Sequence, residues 1–397
     1  MTGRVVDVKT IGFTYGVLIE ENALASLGKM MRHLFSATKV LLISDTKVYT
    51  LYGEQCRQSL VTEHWEVTVA LVRPGERSKT LAGAGRLYDA AVESHLDRSS
   101  PVVALGGGVV GDLAGFVAAT YMRGVPLVMV PTSLLAQVDS SVGGKVAVNH
   151  HRGKNLIGSF YPPRLVIIDP MVLKTLPARQ LRAGLAEVIK YGIIESESFF
   201  CWLEENIEQL LQGNHLVLAE AVERSVQSKA KVVEEDEFEK DYRRALNFGH
   251  TLGHGLEAAT GYRYYLHGEA VLIGMIAAVE IAAALMLLDA VSAKRIQSLL
   301  KQVGVKPPPK GLTSEVVISK LMHDKKRRDK ENIFILPVSL GSAVFLPVND
   351  EKLIHGVIRS YLDMEKPFNR FWEGGSGNDN SGTGSGKRQG KDVNSKS

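Results

Sequence analysis

The chain has 397 residues, 45% of them apolar and 23% charged, with 38 glycines, which is ample for more than one packed core and excludes a wholly disordered protein. A net charge of +4 excludes a strongly polycationic nucleic-acid binder, and half of that excess lies in 374–397, where Lys387, Arg388, Lys391 and Lys396 meet only Asp379 and Asp392. Two cysteines, Cys56 and Cys201, cannot build a disulfide framework, and the opening MTGRVVDVKT has no basic-then-apolar leader pattern, so a reducing, cytoplasmic setting is expected.

In chain order, residues 4–9 and 13–20 read as an edge hairpin. Apolar, β-branched runs of strand length follow at 40–44, 67–72, 102–105, 127–130 and 165–168. Between them, 23–35, 48–63, 81–93 and 112–122 carry helical patterns. This alternation predicts a parallel sheet covered by helices, because strands buried on both faces read as unbroken apolar runs. Beyond Pro170 the character changes. Residues 172–206, 215–236, 242–260, 270–288, 293–303 and 314–322 read as helices, with a small hairpin at 333–338 and 342–346 around Gly341. The stretch 270–288 holds one charge, Glu280, and is long enough to span a bilayer, but a carboxylate inside it makes a buried helix the better reading, so no membrane partner is expected. The expected division is an α/β domain at 1–177, a mainly helical domain at 178–370, and a Gly/Ser/Lys-rich disordered tail at 371–397.

The string Gly106-Gly107-Gly108-Val109-Val110-Gly111-Asp112 lies between a strand pattern and a helical one and fits G-x-G-x-x-G. Bare glycines let backbone N–H groups approach a pyrophosphate at the positive end of a helix; the same string also suits a tight turn that holds nothing. A second phosphate-like loop follows at Pro131-Thr132-Ser133 and Val142-Gly143-Gly144-Lys145, although Val146 replaces the hydroxyl residue of a magnesium-binding P-loop. Loop 74–79, with Glu76 and Lys79, falls where a strand end faces the same crevice, and Asp45 is placed to accept from a ribose hydroxyl. The set suits a dinucleotide better than a mononucleotide.

His250 and His254 stand four apart on one helix face, and His267 precedes the next helix. Zinc takes nitrogen and oxygen ligands, three from protein leaving a position for substrate, and Glu187 beside Lys190 is the candidate carboxylate. Thr251 stands where a metallopeptidase helix needs Glu, which argues against a peptidase. The alternative is a group of hydrogen-bonded polar residues packed between helices. Arg123, Lys145, Lys154, Lys190, Lys229 and Arg243, with Asn155 and Asn247 as neutral donors, together suit a small substrate carrying phosphate and carboxylate. Singly, each is equally well a surface charge.

The strings GGGVVGDLAGF, PTSLLAQVDSSVGGK, GKNLIGSF, LAEVIKYGII, ALNFGHTLGHGLE and LHGEAV jointly resemble the 3-dehydroquinate synthase family of sugar-phosphate cyclases, over about residues 5–365. The resemblance implies an α/β fold class: a Rossmann-like parallel-sheet nucleotide-binding domain, a C-terminal mainly α-helical domain, and an active site in the cleft between. It implies a lyase that converts 3-deoxy-D-arabino-heptulosonate 7-phosphate to 3-dehydroquinate and phosphate, with NAD+ regenerated each turnover and one divalent metal, Zn2+ or Co2+. Metal ligands are implied at Glu187, His250 and His267. NAD+ contacts are implied at Asp45, Glu76, Lys79, Gly108, Val109, Val110, Gly111, Asp112, Thr132, Ser133, Lys145, Lys154, Val172, Leu173, Lys174 and Thr175. Lys145, Asn155 and Asn247 would hold the phosphate, with Arg123 reaching over from the second copy of a homodimer. Lys229 and Arg243 would hold the carboxylate, while Asp139, Lys190 and His254 orient hydroxyls and relay protons. In the Asp-Lys-Lys string at 324–326 either lysine is open as a substrate contact, with Lys326 carried as the candidate. Ser133 stands where many members have Thr, which keeps the hydroxyl, and the tail lies outside the pattern. The rivals are carboxylate-free sugar-phosphate cyclases, a metal-dependent polyol dehydrogenase, and a non-catalytic descendant, for which a broken ligand set would be expected.

Overall fold

The computed structural model describes residues 3–328 and 333–362, with 322–328 described by their backbone alone. The expected tail and the side chains of Lys325 and Lys326 lie outside the described residues. The chain opens with β1 (Arg4–Lys9) and β2 (Thr14–Ile19), a short 3-10 turn, α1 (Leu27–Arg32), β3 (Lys39–Asp45), the single turn α2 (Thr46–Val48), α3 (Glu54–Thr62) and β4 (Glu66–Val72). Then come α4 (Leu81–Glu93), β5 (Val102–Gly106), α5 (Gly108–Thr120), β6 (Leu127–Pro131), β7 (Lys145–His150), β8 (Gly153–Phe160) and β9 (Leu165–Ile168). The seven-stranded sheet has the order β1-β2-β9-β6-β5-β3-β4, antiparallel only between β1 and β2. The expected edge hairpin and parallel sheet are both present. Strands β5, β6 and β9 are buried at every position, as their unbroken apolar runs required.

The second half is α6 (Ala178–Glu195), α7 (Glu197–Leu211), α8 (His215–Glu235), α9 (His250–Ala259), α10 (His267–Ala284), α11 (Ala290–Val303), α12 (Ser314–Arg328), the hairpin β10 (Ile333–Ser339) and β11 (Ser342–Pro347), and α13 (Glu351–Leu362). Helix α10 is long and apolar enough to cross a membrane, yet 78% of it is buried, against α6, α9, α11 and α13. The apolar core divides by sheet face. One cluster fills the face under α1 and α3, and a larger one runs without a break from β1 through α5 and α6 to α13.

Several local readings differ from the structure. The helix expected over 48–63 contains a π-helical turn at Tyr49–Gly53, where Gly53 lies against the Tyr49 ring. The stretch 172–206 is broken at Ser196, whose hydroxyl accepts from Phe199 N–H at 3.2 Å and caps α7. The β7–β8 hairpin is where a phosphate-like loop and nothing further was expected. Its alternating Val146 and Val148 are buried, but most of β8 faces solvent and gives no apolar run to read.

Candidate active site

The glycine turn sits at the carboxyl end of β5, beside the ends of β3 and β6. Gly107 precedes α5 and offers no side-chain cap, so the first-turn N–H groups are left to a ligand or water. A Cβ on Gly108 would stand 3.1 Å from Ser140 Oγ, and one on Gly107 3.4 Å from Ser133 Oγ, so bare glycines keep this cradle open. Val109 and Val110 form the first turn of α5, with Val110 buried. Thr132 is buried, its N–H bonded to Gly106 O at 3.0 Å, and Ser133 Oγ accepts from Ala136 N–H at 3.3 Å. Asp45 spends Oδ1 on capping α2, accepting from Lys47 N–H and Val48 N–H at 2.9 and 3.0 Å. Val172, Leu173, Lys174 and Thr175 lie on one 3-10 turn, where Thr175 Oγ1 meets Tyr52 OH at 2.5 Å. Lys79 is buried and its ammonium bonds both Asp112 and Asn155. Burial pushes the Asp112 carboxyl up to about 6, against the pull of Lys79.

Three elements converge on one buried oxygen. Glu187 on α6 is fully buried; its Oε2 accepts from Lys190 Nζ at 2.5 Å, while its Oε1 has no hydrogen-bond partner. His250 Nε2, from the first turn of α9, and His267 Nε2, from the first turn of α10, each lie 3.8 Å from that Oε1. That separation is too long for a hydrogen bond and suits three atoms sharing a cation about 2 Å from each. His250 Nδ1 is 3.1 Å from Phe248 O, and His267 Nδ1 is 3.1 Å from Glu257 Oε2. Donating at Nδ1 leaves each Nε2 lone pair aimed at Glu187. Burial, then the neighbouring His267 and Lys190, hold His250 well below its usual value. For His267, burial is outweighed by the bond to Glu257, and its value rises. His254, Glu257 and His267 also lie close enough to share an ion, but Glu257 is already spent on His267 and on Lys154 at 3.3 Å. The first triad is therefore the candidate metal centre. His254 is exposed, its ring 5.4 Å from that of His250 and 6.0 Å from that of His267.

The cations are not bare. Lys145 pairs with Glu239 at 2.5 Å, whose other oxygen accepts from Asn247 at 3.0 Å. Lys229 on α8 pairs with Asp139 at 2.5 Å, and Tyr191 donates to the same oxygen at 3.2 Å. Burial alone would raise the Asp139 carboxyl, but Lys229 and Lys190 hold it well below the usual range. Burial lowers the Lys229 amine to about 8 despite Asp139. Arg243 is buried and donates to Glu237 O at 2.6 Å and Gly143 O at 3.0 Å, with its Nε left without an acceptor. Arg123 is not brought to these groups: it is exposed beyond the end of α5, at φ 68°, with no charged partner among the described residues. Sequence reasoning missed Glu239, Glu257, Tyr191 and Asn149. Glu257 had a signal, three residues beyond His254 on the same helix face. Glu239 had none, because its loop carries no periodicity.

A family model described as 3-dehydroquinate synthase N-terminal matches residues 69–183, and one described as 3-dehydroquinate synthase C-terminal matches residues 184–327. A 3-dehydroquinate synthase of Pelotomaculum thermopropionicum is 55% identical over 332 residues, 83% of this chain and 90% of that one. Among solved structures, 2-epi-5-epi-valiolone synthase from Streptomyces hygroscopicus, with NAD+ and Zn2+ bound, is 30% identical at a TM-score of 0.80, over 89% of this chain and 98% of that one. A 2-deoxy-scyllo-inosose synthase, complexed with carbaglucose-6-phosphate, NAD+ and Co2+, is 28% identical at a TM-score of 0.83, over 90% and 100%.

Proposed function

The chain belongs to the 3-dehydroquinate synthase family, and from that premise we propose how its residues carry the conversion of 3-deoxy-D-arabino-heptulosonate 7-phosphate to 3-dehydroquinate and phosphate, the second step of the shikimate pathway. The observation that carries this reading is Glu187 Oε1, buried, unbonded and faced by two imidazole nitrogens at 3.8 Å. Glu187, His250 and His267 would hold a zinc or cobalt ion as Lewis acid for a substrate hydroxyl, and NAD+ on the glycine turn would take up and return a hydride.

The chain's own residues then bind, orient and move protons. Residues 108–112 and 172–175, with Asp45, Glu76, Lys79, Thr132, Ser133 and Lys154, hold the dinucleotide. Lys145, Asn155 and Asn247 take the substrate phosphate, which replaces the Glu239 carboxylate between Lys145 and Asn247. Lys229 and Arg243 take the carboxylate, and the orphaned Arg243 Nε supports this, since a buried donor without an acceptor is costly. Fixing both anionic ends orients the ring carbons between them. These two cations favour the carboxylate-bearing substrate over that of a carboxylate-free cyclase. Half-buried Asp139 and buried Lys190 orient hydroxyls as charged groups, while exposed His254 exchanges a proton with solvent. We propose also a homodimer in which Arg123 serves the neighbouring copy's phosphate, supported by its exposure and its lack of a charged partner among the described residues. A cytoplasmic setting accords with the unpaired Cys56 and Cys201.

The test is phosphate release from the heptulosonate phosphate by metal-loaded enzyme with NAD+. Release abolished by chelation and without net NADH is expected. No release with both supplied overturns the reading, and net NADH accumulation would point instead to a polyol dehydrogenase.

A further inference from the structure

The β7–β8 hairpin is irregular at its turn end, near the loop that carries Glu76 and Lys79. Its register shifts between Val148 and His150, which leaves Asn149 outside the regular antiparallel ladder. The Asn149 N–H donates instead to Lys79 O at 2.9 Å, and the residue bridges Thr80 in parallel. Both ends of its side chain are used: Nδ2 donates to Glu76 Oε1 at 2.7 Å, and Oδ1 accepts from Asn155 N–H at 2.9 Å. The partners force this orientation, because a carboxylate can only accept and a backbone N–H can only donate. Asn155 stands at φ 55°, a left-handed conformation that asparagine tolerates at a cost, so the bond to its N–H pins a strained backbone. Lys79 closes the ring from the other side by bonding Asn155 Oδ1 at 2.5 Å and Asp112 as well.

We propose that Asn149 is a positioning residue that couples the nucleotide side of the site to the phosphate side. It joins Glu76 and Asn155 in one hydrogen-bonded unit, so a ligand that orders either residue orders the other, and the effect is reciprocal. The proposal rests on the roles given above to Glu76 and Asn155. Asn149 itself touches neither reacting group; it acts through the two residues it holds.

The test is calorimetric titration of NAD+ into the metal-loaded enzyme, with and without saturating inorganic phosphate. Wild type is expected to bind NAD+ roughly 5-fold tighter with phosphate present, and Asn149→Ala to bring that ratio to about 1 while weakening each ligand alone. Asn149→Asp keeps the acceptor for Asn155 but sets a carboxylate against Glu76. It should recover phosphate affinity and leave NAD+ affinity low, and it carries the test if the alanine variant fails to fold. An alanine variant that keeps the wild-type ratio overturns the coupling. Glu76→Ala and Asn155→Ala separate the two levels: if they leave NAD+ and phosphate affinity unchanged, the assigned roles fall first and the coupling with them.

Discussion

At the scale of single residues, the site is built from paired charges, buried at Lys79, Lys190 and Lys229 and more open at Lys145 and Lys154. Lys79, Lys145, Lys154, Lys190 and Lys229 each meet a carboxylate: Asp112, Glu239, Glu257, Glu187 and Asp139. A matched ion pair leaves little net field, so among the charged groups given a site role, Glu187 Oε1 and Arg243 Nε, buried without a hydrogen-bond partner, are the atoms that call for a ligand. Lys229 supplies a test through pH. Burial lowers its amine from the usual 10.5 to about 8, so its cation is lost as pH rises through that value. Substrate KM is therefore expected to climb above about pH 8, and Lys229→Arg, which stays protonated, should flatten that climb at a lower overall rate. The stability term has the opposite sign. A lysine whose folded value lies below its unfolded one favours folding as pH rises between the two. A melting temperature that fell in step with the rise in KM would mean unfolding and remove Lys229 as the cause. Most of the cations were legible by residue type, and the family resemblance implied the Glu187, His250 and His267 set that the fold brings together. Sequence reading did not find Glu239 or Asn149, because a partner on an aperiodic loop is defined only once the chain has folded.

At the scale of elements, the triad depends on how closely three helices approach. A Cβ on Gly268 would stand 1.9 Å from Ala183 O on α6, and one on Gly274 would stand 1.9 Å from Gly249 O at the start of α9. These are backbone contacts, which cannot swing aside. Arg179 on α6 clasps Glu269 on α10 through both oxygens at 2.7 Å, and Glu269 also accepts from Leu266 N–H at 2.8 Å, which fixes the turn that presents His267. Gly268→Ala is expected to push α10 from α6, lower the melting temperature by a few degrees, and weaken metal binding. An alanine variant with wild-type metal affinity would show that the close approach does not set the triad. The parallel sheet was legible from its unbroken apolar runs, and the long helices from their continuous periodicity. The β7–β8 hairpin and the π-helical turn at Tyr49–Gly53 were not, since one is largely exposed and the other differs from a helix by a shift in hydrogen bonding.

At the scale of the molecule, one apolar cluster runs from the edge strand β1 to the last helix α13, so the sheet half and the helical half share packing rather than only a cleft. Across that junction run Lys145 to Glu239, Lys229 to Asp139, Lys154 to Glu257, and Arg243 to Gly143. The nucleotide turn and the metal centre are thereby held in one frame, which a hydride taken and returned at one substrate requires. We propose Glu187, His250 and His267 as the metal centre of this frame. The most direct test is the zinc content of purified wild-type protein and of His250→Ala after dialysis against free zinc, read with the melting temperature of each in the absence of metal. About one zinc per chain is expected in wild type and none retained in His250→Ala, with the two metal-free proteins melting within a few degrees of each other. A His250→Ala protein that keeps its full zinc would contradict the proposal.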